Sequence, residues 1–124
     1  MKVLVANRGE IACRILRTLK EMAIPSVAVH TDADAEAPHA HAADECAGLG
    51  APDRYLSEEA LIGAARKHGA TAIHPGYGFL SQSASFARTC EAAGLTFIGP
   101  TAESMVALGD KRGSRATAQR LGIP

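Results

Sequence analysis

Apolar positions along the chain alternate between short continuous runs and stretches in which they recur every three or four residues. The continuous runs at residues 3–6, 27–29, 71–74 and 96–98 predict buried β-strands. Helical spacing predicts amphipathic helices between the first two strands, over residues 58–68 and over residues 83–93. Parallel strands joined by helical crossovers are covered on both faces, so this alternation predicts a doubly wound α/β domain with a parallel sheet.

Local signals refine these elements. In the first helix the apolar stripe comprises Ile11, Ile15, Leu16, Leu19 and Met22. Ser57 is placed to cap the helix over 58–68, and glycines at positions 69 and 94 end the second and third helices. The polar, alanine-rich stretch "HTDADAEAPHAHAADE" predicts a loop with at most a short helix.

After Gly99 and Pro100 the pattern changes. Two further helices are predicted, over residues 103–108 and 110–121, and they lead out of the domain. The closing "LGIP" has the pattern of a connection into another strand. We therefore expect this sequence to be part of a longer protein.

Charge and composition exclude several classes of function. Thirteen basic and thirteen acidic residues cancel, and no basic patch is interleaved with aromatic residues, so we predict neither nucleic-acid binding nor binding to an anionic membrane. The sequence starts directly with a strand and contains no signal peptide or run of membrane-spanning length. These features predict a cytoplasmic protein.

Cysteine and histidine spacing argues against a metal site. Cys13, Cys46 and Cys90 are far apart in apolar surroundings, which favours buried, reduced thiols. The chain has no C-x-x-C, and the pair His39 and His41 lacks a second pair of ligands at a zinc spacing. We interpret the two histidines as part of a polar loop or an exposed helix face.

Two loops follow predicted strands at the edge where α/β proteins bind ligands: "NRGE" and "HPGYGFLSQ". Neither contains a complete phosphate-binding fingerprint. The glycines flanking Tyr77 are equally consistent with a tight turn and with a loop that a ligand approaches. His74 is predicted to be buried and hydrogen-bonded, and Lys111 to belong to a solvated basic helix face. The residues alone indicate no catalytic group.

Five segments of the chain together resemble the N-terminal part of biotin carboxylase, a component of biotin-dependent acyl-CoA and pyruvate carboxylases. They are "ANRGEIACRILRTLKEMAI", "AVH", "AIHPGYGFLS", "FIGP" and "LGDK", in the family's order and spacing. The resemblance implies that residues 1–124 form the Rossmann-like domain that precedes an ATP-grasp domain. It also implies that ATP activates bicarbonate as carboxyphosphate and that the carboxyl group passes to biotin on a carrier.

The resemblance also implies partners and residue roles. Partners would be the remaining biotin carboxylase domains, a biotin carboxyl carrier domain, a carboxyltransferase and a second copy in a homodimer. Lys111 would contact ATP, Tyr77 and Gly78 would face biotin, and Arg17 and Glu21 would lie on the dimer surface. Mg²⁺ and the catalytic bases would belong mainly to regions beyond residue 124, so no catalytic residue is expected in this segment.

One position departs from the family pattern. Where the family has "GFLSEN", this chain has "GFLSQS", so Gln82 replaces a carboxylate with a neutral amide. A role that needs a negative charge there is not expected of this chain. The alternative to an enzyme segment is a free-standing domain that dimerises or docks with carboxylase subunits.

Overall fold

The computed structural model of the protein describes residues 1–100 and residue 105. Within them, five parallel strands form one sheet, in the order β3-β2-β1-β4-β5. The strands are β1 (Val3–Val5), β2 (Ser26–Thr31), β3 (Glu45–Gly50), β4 (Ala72–His74) and β5 (Thr96–Phe97). The helices are α1 (Gly9–Glu21), α2 (Glu58–Lys67) and α3 (Ala84–Ala92), with single 3₁₀ turns at Asp32–Asp34, Pro38–His41 and Pro52–Leu56.

Helices cover both faces of the sheet, as the doubly wound prediction requires. Alternate residues of a strand point to opposite faces, so Val3 and Val5 pack with α1 while Leu4 packs with α2 and α3. On the second face Leu61 and Phe86 are fully buried. Burying each such side chain contributes about 1.5–3 kcal/mol, so these contacts help to hold the two helices on the sheet.

The buried stripe of α1 is narrower than its sequence predicts. Ala12, Leu16 and Leu19 are buried, whereas Ile11 is 40% and Met22 is 61% exposed. Ile11 is rotated by about 100° from Ala12 around the helix axis. Met22 follows the last residue of α1, beyond the part that packs on the sheet. Including both in the stripe was therefore wrong.

Strand β3 is the one described strand that the hydrophobic pattern did not predict. Its sequence, ECAGLG, contains two glycines and only one buried residue, Ala47. It pairs with β2 alone among the described strands, and its register shifts between His30 and Thr31 of β2. A half-buried strand at the sheet edge carries no continuous apolar run, so the local signal is weak.

The predicted helix ends are confirmed. The hydroxyl oxygen of Ser57 accepts a hydrogen bond from the amide of Ala60 at 3.1 Å, and Ser83 caps α3 in the same way through Phe86. Gly69 adopts φ +68° after α2. The helices predicted over 103–108 and 110–121 lie outside the described residues.

The cysteine prediction is confirmed for only one of the three residues. Cys90 lies on the buried face of α3, Cys13 is half-buried and Cys46 is exposed. Cys46 precedes the buried Ala47 on β3, so its side chain points away from the core. Over the described part of the chain, no helix has both the length and the apolar character needed to cross a membrane.

Candidate functional site

The two loops singled out in the sequence meet at the carboxyl edge of the sheet. Val5 of β1 lies beside His74 of β4 in the register, and the next amide, that of Ala6, donates to the carbonyl oxygen of His74 at 2.8 Å. The chain turns from β1 towards β2 on one side and from β4 towards β5 on the other. The loops after β1 and β4 therefore lie at the topological switch point, where open α/β sheets bind ligands.

Asn7 connects the two loops. Its side chain is 1% exposed, and its Nδ2 donates to the carbonyl oxygens of Pro75 at 2.9 Å and Tyr77 at 2.7 Å. Its Oδ1 accepts from the amide of Arg8 at 2.8 Å. Both the donor and the acceptor of this buried amide are thus satisfied by backbone groups on both sides of the switch point.

The two glycines of the β4 loop serve different purposes. Both have positive φ, +68° at Gly76 and +72° at Gly78, which favours glycine over other residues. A Cβ added at Gly76 would lie 2.6 Å from Nδ2 of Asn7, whereas one added at Gly78 would meet nothing within 4 Å. Gly76 is needed for close packing inside the protein, while Gly78 leaves an open stretch of backbone.

Between and after these glycines the loop presents aromatic rings. Tyr77 is 81% exposed, more than any other large hydrophobic residue in the described part of the chain. Phe79 is 42% exposed and has φ +45°, a conformation that is strained for a bulky side chain. Its ring packs on that of Tyr55, with centroids 5.4 Å apart. The loop is therefore in contact with the protein on both sides of the Tyr77–Gly78 segment.

An ion pair fixes the start of α1. Arg8 binds Asp34 through two hydrogen bonds, Nε to Oδ2 at 2.6 Å and Nη2 to Oδ1 at 2.8 Å. The hydroxyl of Tyr55 donates to the same carboxylate at 2.7 Å. The bonds from Arg8, and then that from Tyr55, hold the pKa of Asp34 well below its usual range. Pairing with Asp34 raises the pKa of Arg8 in turn, so both charges persist at neutral pH.

Tyr55 and His39 complete this network. Burial, followed by the bond to Asp34, raises the pKa of Tyr55 to about 12. The amide of Gly9 donates to Nδ1 of His39 at 3.3 Å, so the ring proton lies on Nε2, which is 3.0 Å from the carbonyl oxygen of Val29. Burial lowers the pKa of His39, which keeps the ring neutral.

The interpretation of His39 and His41 as one exposed pair is therefore wrong for His39. His39 is fully buried and joins β2 to the start of α1, whereas His41 is exposed as predicted. The two residues differ because the 3₁₀ turn Pro38–His41 directs only one of them inward. Among the described residues no group of three or more metal-ligating side chains is present.

His74 has the structural role that its sequence predicts. Its Nδ1 accepts from the amide of Gly76 at 3.0 Å and so supports the turn that follows β4. The side chain is partly buried, and this burial lowers its pKa. A neutral ring is the form that can accept this bond.

The structure brings some of the predicted site residues together and separates others. Tyr77 and Gly78 lie in the loop at the switch point, and Gln82 is exposed shortly after them. Arg17 and Glu21 lie on the exposed face of α1, and Arg17 is about 12 Å along the helix from its first residue. Lys111 lies outside the described residues.

Sequence reasoning did not assign roles to four residues of the network: Asn7, Arg8, Asp34 and Tyr55. The loop "NRGE" gave a signal for the first two because it follows a buried strand. Asp34 and Tyr55 gave none, since the partners that make them important are 21 to 26 residues away in sequence.

Comparisons with known proteins give a consistent result. Residues 1–105 match the model of the family described as biotin carboxylase, N-terminal domain. The chain is 54% identical to the mitochondrial methylcrotonoyl-CoA carboxylase subunit alpha of Oryza sativa subsp. japonica, over 99% of this chain and 17% of the relative. It is 52% identical to the biotin carboxylase of Pseudomonas aeruginosa, over 99% of this chain and 28% of the relative.

A solved structure agrees in fold. It is a biotin carboxylase domain of a thermophilic 2-oxoglutarate carboxylase bound to ADP, with a TM-score of 0.88 and 47% identity. The alignment covers 99% of this chain and 28% of that one. The chain thus spans only about a sixth to about a quarter of the proteins it matches.

Proposed function

Because this chain belongs to the biotin carboxylase N-terminal domain family, we propose that it acts within a longer enzyme that carboxylates carrier-bound biotin with bicarbonate and ATP. The main support is the loop after β4, which presents an 81% exposed Tyr77 and the open backbone of Gly78 at the switch point. An exposed aromatic ring beside free backbone groups suits an apolar ligand that carries a polar ureido ring.

Three sets of residues carry the proposal. Tyr77 and Gly78 face biotin, and Lys111 contacts ATP, for which the ADP-bound relative is a precedent. Arg17 and Glu21, on the exposed face of α1, contribute to a homodimer surface. From the family resemblance, we assign Mg²⁺ and the catalytic groups to the ATP-grasp and C-terminal regions.

The proposed reaction proceeds in two steps. A bicarbonate oxygen attacks the γ-phosphorus of ATP, the bond to ADP breaks, and carboxyphosphate forms. The ureido nitrogen of biotin loses its proton and bonds to the carboxyl carbon, and phosphate leaves. This domain binds and orients biotin in that scheme, and rigid support for the binding loop is what such orientation requires.

The proposed partners are those of a biotin-dependent carboxylase. They are the remaining biotin carboxylase domains, a biotin carboxyl carrier domain and a carboxyltransferase. We propose a cytoplasmic location from the composition, although the rice relative is named as mitochondrial.

The test uses the full coding sequence that contains these residues. We expect bicarbonate-dependent ATP hydrolysis that free biotin stimulates. Tyr77→Ala should raise KM for biotin severalfold and leave KM for ATP unchanged, whereas Lys111→Ala should do the reverse. Met22→Ala is the matched control, because Met22 is also exposed and apolar but follows the far end of α1. Unchanged constants for Tyr77→Ala or Lys111→Ala would return that residue to an ordinary surface role.

The 124-residue chain alone should show no bicarbonate-dependent ATP hydrolysis, since phosphoryl transfer needs positioned cations around the phosphates. Measurable turnover by this chain would contradict the proposal. If a native transcript encodes a stop codon after Pro124, the alternative of a docking domain gains support. Size-exclusion chromatography with and without a biotin carrier protein would then test that alternative.

A further inference from the structure

We propose that Asn7 is a positioning residue that holds the Tyr77–Gly78 segment in its biotin-binding geometry, an inference that rests on the proposed function. Asn7 lies beneath the loop and does not itself face solvent. It acts on the loop through the carbonyl oxygens of Pro75 and Tyr77, which lie on either side of Gly76.

The chemistry of the position requires a short amide. One nitrogen donates to two carbonyl oxygens, at 2.9 and 2.7 Å, while the oxygen of the same group accepts from the amide of Arg8. An aspartate of the same size has no donor when ionised, and an alanine has neither group. Removing the amide leaves two carbonyl oxygens at the turn without these partners.

Packing at Gly76 also determines the contact between Asn7 and the loop. The absent Cβ of Gly76 makes room for the amide of Asn7, because an added Cβ would lie 2.6 Å from Nδ2 and 3.0 Å from Cγ. The loop backbone therefore rests directly on the amide, with no side chain between them. A movement of Asn7 is transmitted to the carbonyl of Tyr77, the residue proposed to face biotin.

The orientation of Asn7 is itself fixed. Its neighbour Arg8 is bound to Asp34, and Asp34 accepts from Tyr55, whose ring packs on Phe79. Asn7 thus contacts the loop before Gly78, and Tyr55 contacts it after Gly78. Both contacts belong to one network of bonded and packed residues. Phe79 keeps its strained φ of +45° because these neighbours define its place.

The variant that tests this is Asn7→Asp in the full-length enzyme. It preserves volume but sets a carboxylate against two carbonyl oxygens. Losing two hydrogen bonds from a binding loop predicts a rise in KM for free biotin on the order of tenfold, with KM for ATP changed less than about twofold.

Ser26→Ala is the matched control. Ser26 is also a buried polar residue, but it lies at the amino end of β2 and pairs with Asp44. Its loss should leave KM for biotin within about twofold of wild type. If Asn7→Asp raises both Michaelis constants equally, Asn7 serves general stability and the proposal is wrong.

A second measurement separates this proposal from the proposed function. Amide hydrogen exchange of the peptide covering residues 75–82 should be faster in Asn7→Asp than in Ser26→Ala, whatever the ligand of the loop. Faster exchange with no change in KM for biotin supports positioning but contradicts biotin as the ligand. Unchanged exchange overturns the positioning role. Should Asn7→Asp fail to fold, Asn7→Ser gives the same comparison without a buried charge.

Discussion

The two glycines of the β4 loop provide a direct test of the contact with Asn7. Each is replaced separately with alanine. Both adopt a left-handed backbone, so each substitution costs about 1 kcal/mol in conformational strain. Both also lose the same flexibility from the unfolded chain, and this effect cancels when the two variants are compared.

The difference between the variants comes from packing. At Gly78 the new methyl group meets nothing within 4 Å, so its cost is the strain alone. At Gly76 the methyl group would lie 2.6 Å from Nδ2 of Asn7, which must move away. If both hydrogen bonds of that nitrogen are lost, at about 1 kcal/mol each, the total reaches about 3 kcal/mol. Gly76→Ala should thus be less stable than Gly78→Ala by about 2 kcal/mol.

The assay is urea denaturation of the chain, followed by far-ultraviolet circular dichroism, with stability taken from the midpoints at a common slope. A double-mutant cycle adds Asn7→Ala to each background. With the amide removed, the additional cost of Gly76→Ala should decrease, while that of Gly78→Ala should not. Equal losses for the two glycine variants would refute the assignment of Gly76 to close packing with Asn7.

Two further predictions concern the titration and reactivity of buried groups. Arg8 and Tyr55 depress the pKa of Asp34 in the folded state, so the stability that they provide is complete above the unfolded carboxyl pKa of about 4 and is lost as the pH falls below it. Asp34→Asn should therefore lower the free energy of unfolding by about 2–3 kcal/mol at pH 7. In acid, the denaturation midpoint of the variant should approach that of wild type. A difference between the two midpoints that stays constant down to pH 2 would contradict this. In the folded chain, a thiol reagent such as 5,5′-dithiobis(2-nitrobenzoic acid) should modify the exposed Cys46 first and reach Cys90 only on unfolding, because burial raises the pKa of Cys90 to about 12. Rapid modification of Cys90 in native protein, with Cys13→Ser and Cys46→Ser as the background, would show that α3 opens readily.

Much of the fold could be predicted because its signals are local. The strands around Leu4, Val27 and Ile73 are continuous apolar runs, and the capping serines directly precede the helices that they cap. Strand β3 could not be predicted in this way. Its glycines and exposed Cys46 give no periodic pattern, and its place is decided by pairing with β2.

The candidate site was predictable only in part. The loops after β1 and β4 stood out because each follows a buried strand, and glycines at 76 and 78 marked the second one. The sequence left open whether these glycines form a turn or admit a ligand. The structure shows two different uses, since Gly76 packs on Asn7 and Gly78 faces open space.

The sequence by itself determined the alternation of strands and helices, the helix ends and the family, because periodicity, capping and short motifs depend on neighbouring residues. Tertiary structure alone decided which polar groups work together. Asn7 binds carbonyl groups 68 and 70 residues away, and Arg8 binds Asp34 across 26 residues. Parallel strand order brings such distant residues to one edge of the sheet, and burial there makes each unpaired polar group costly, so these partners are fixed only when the sheet has formed.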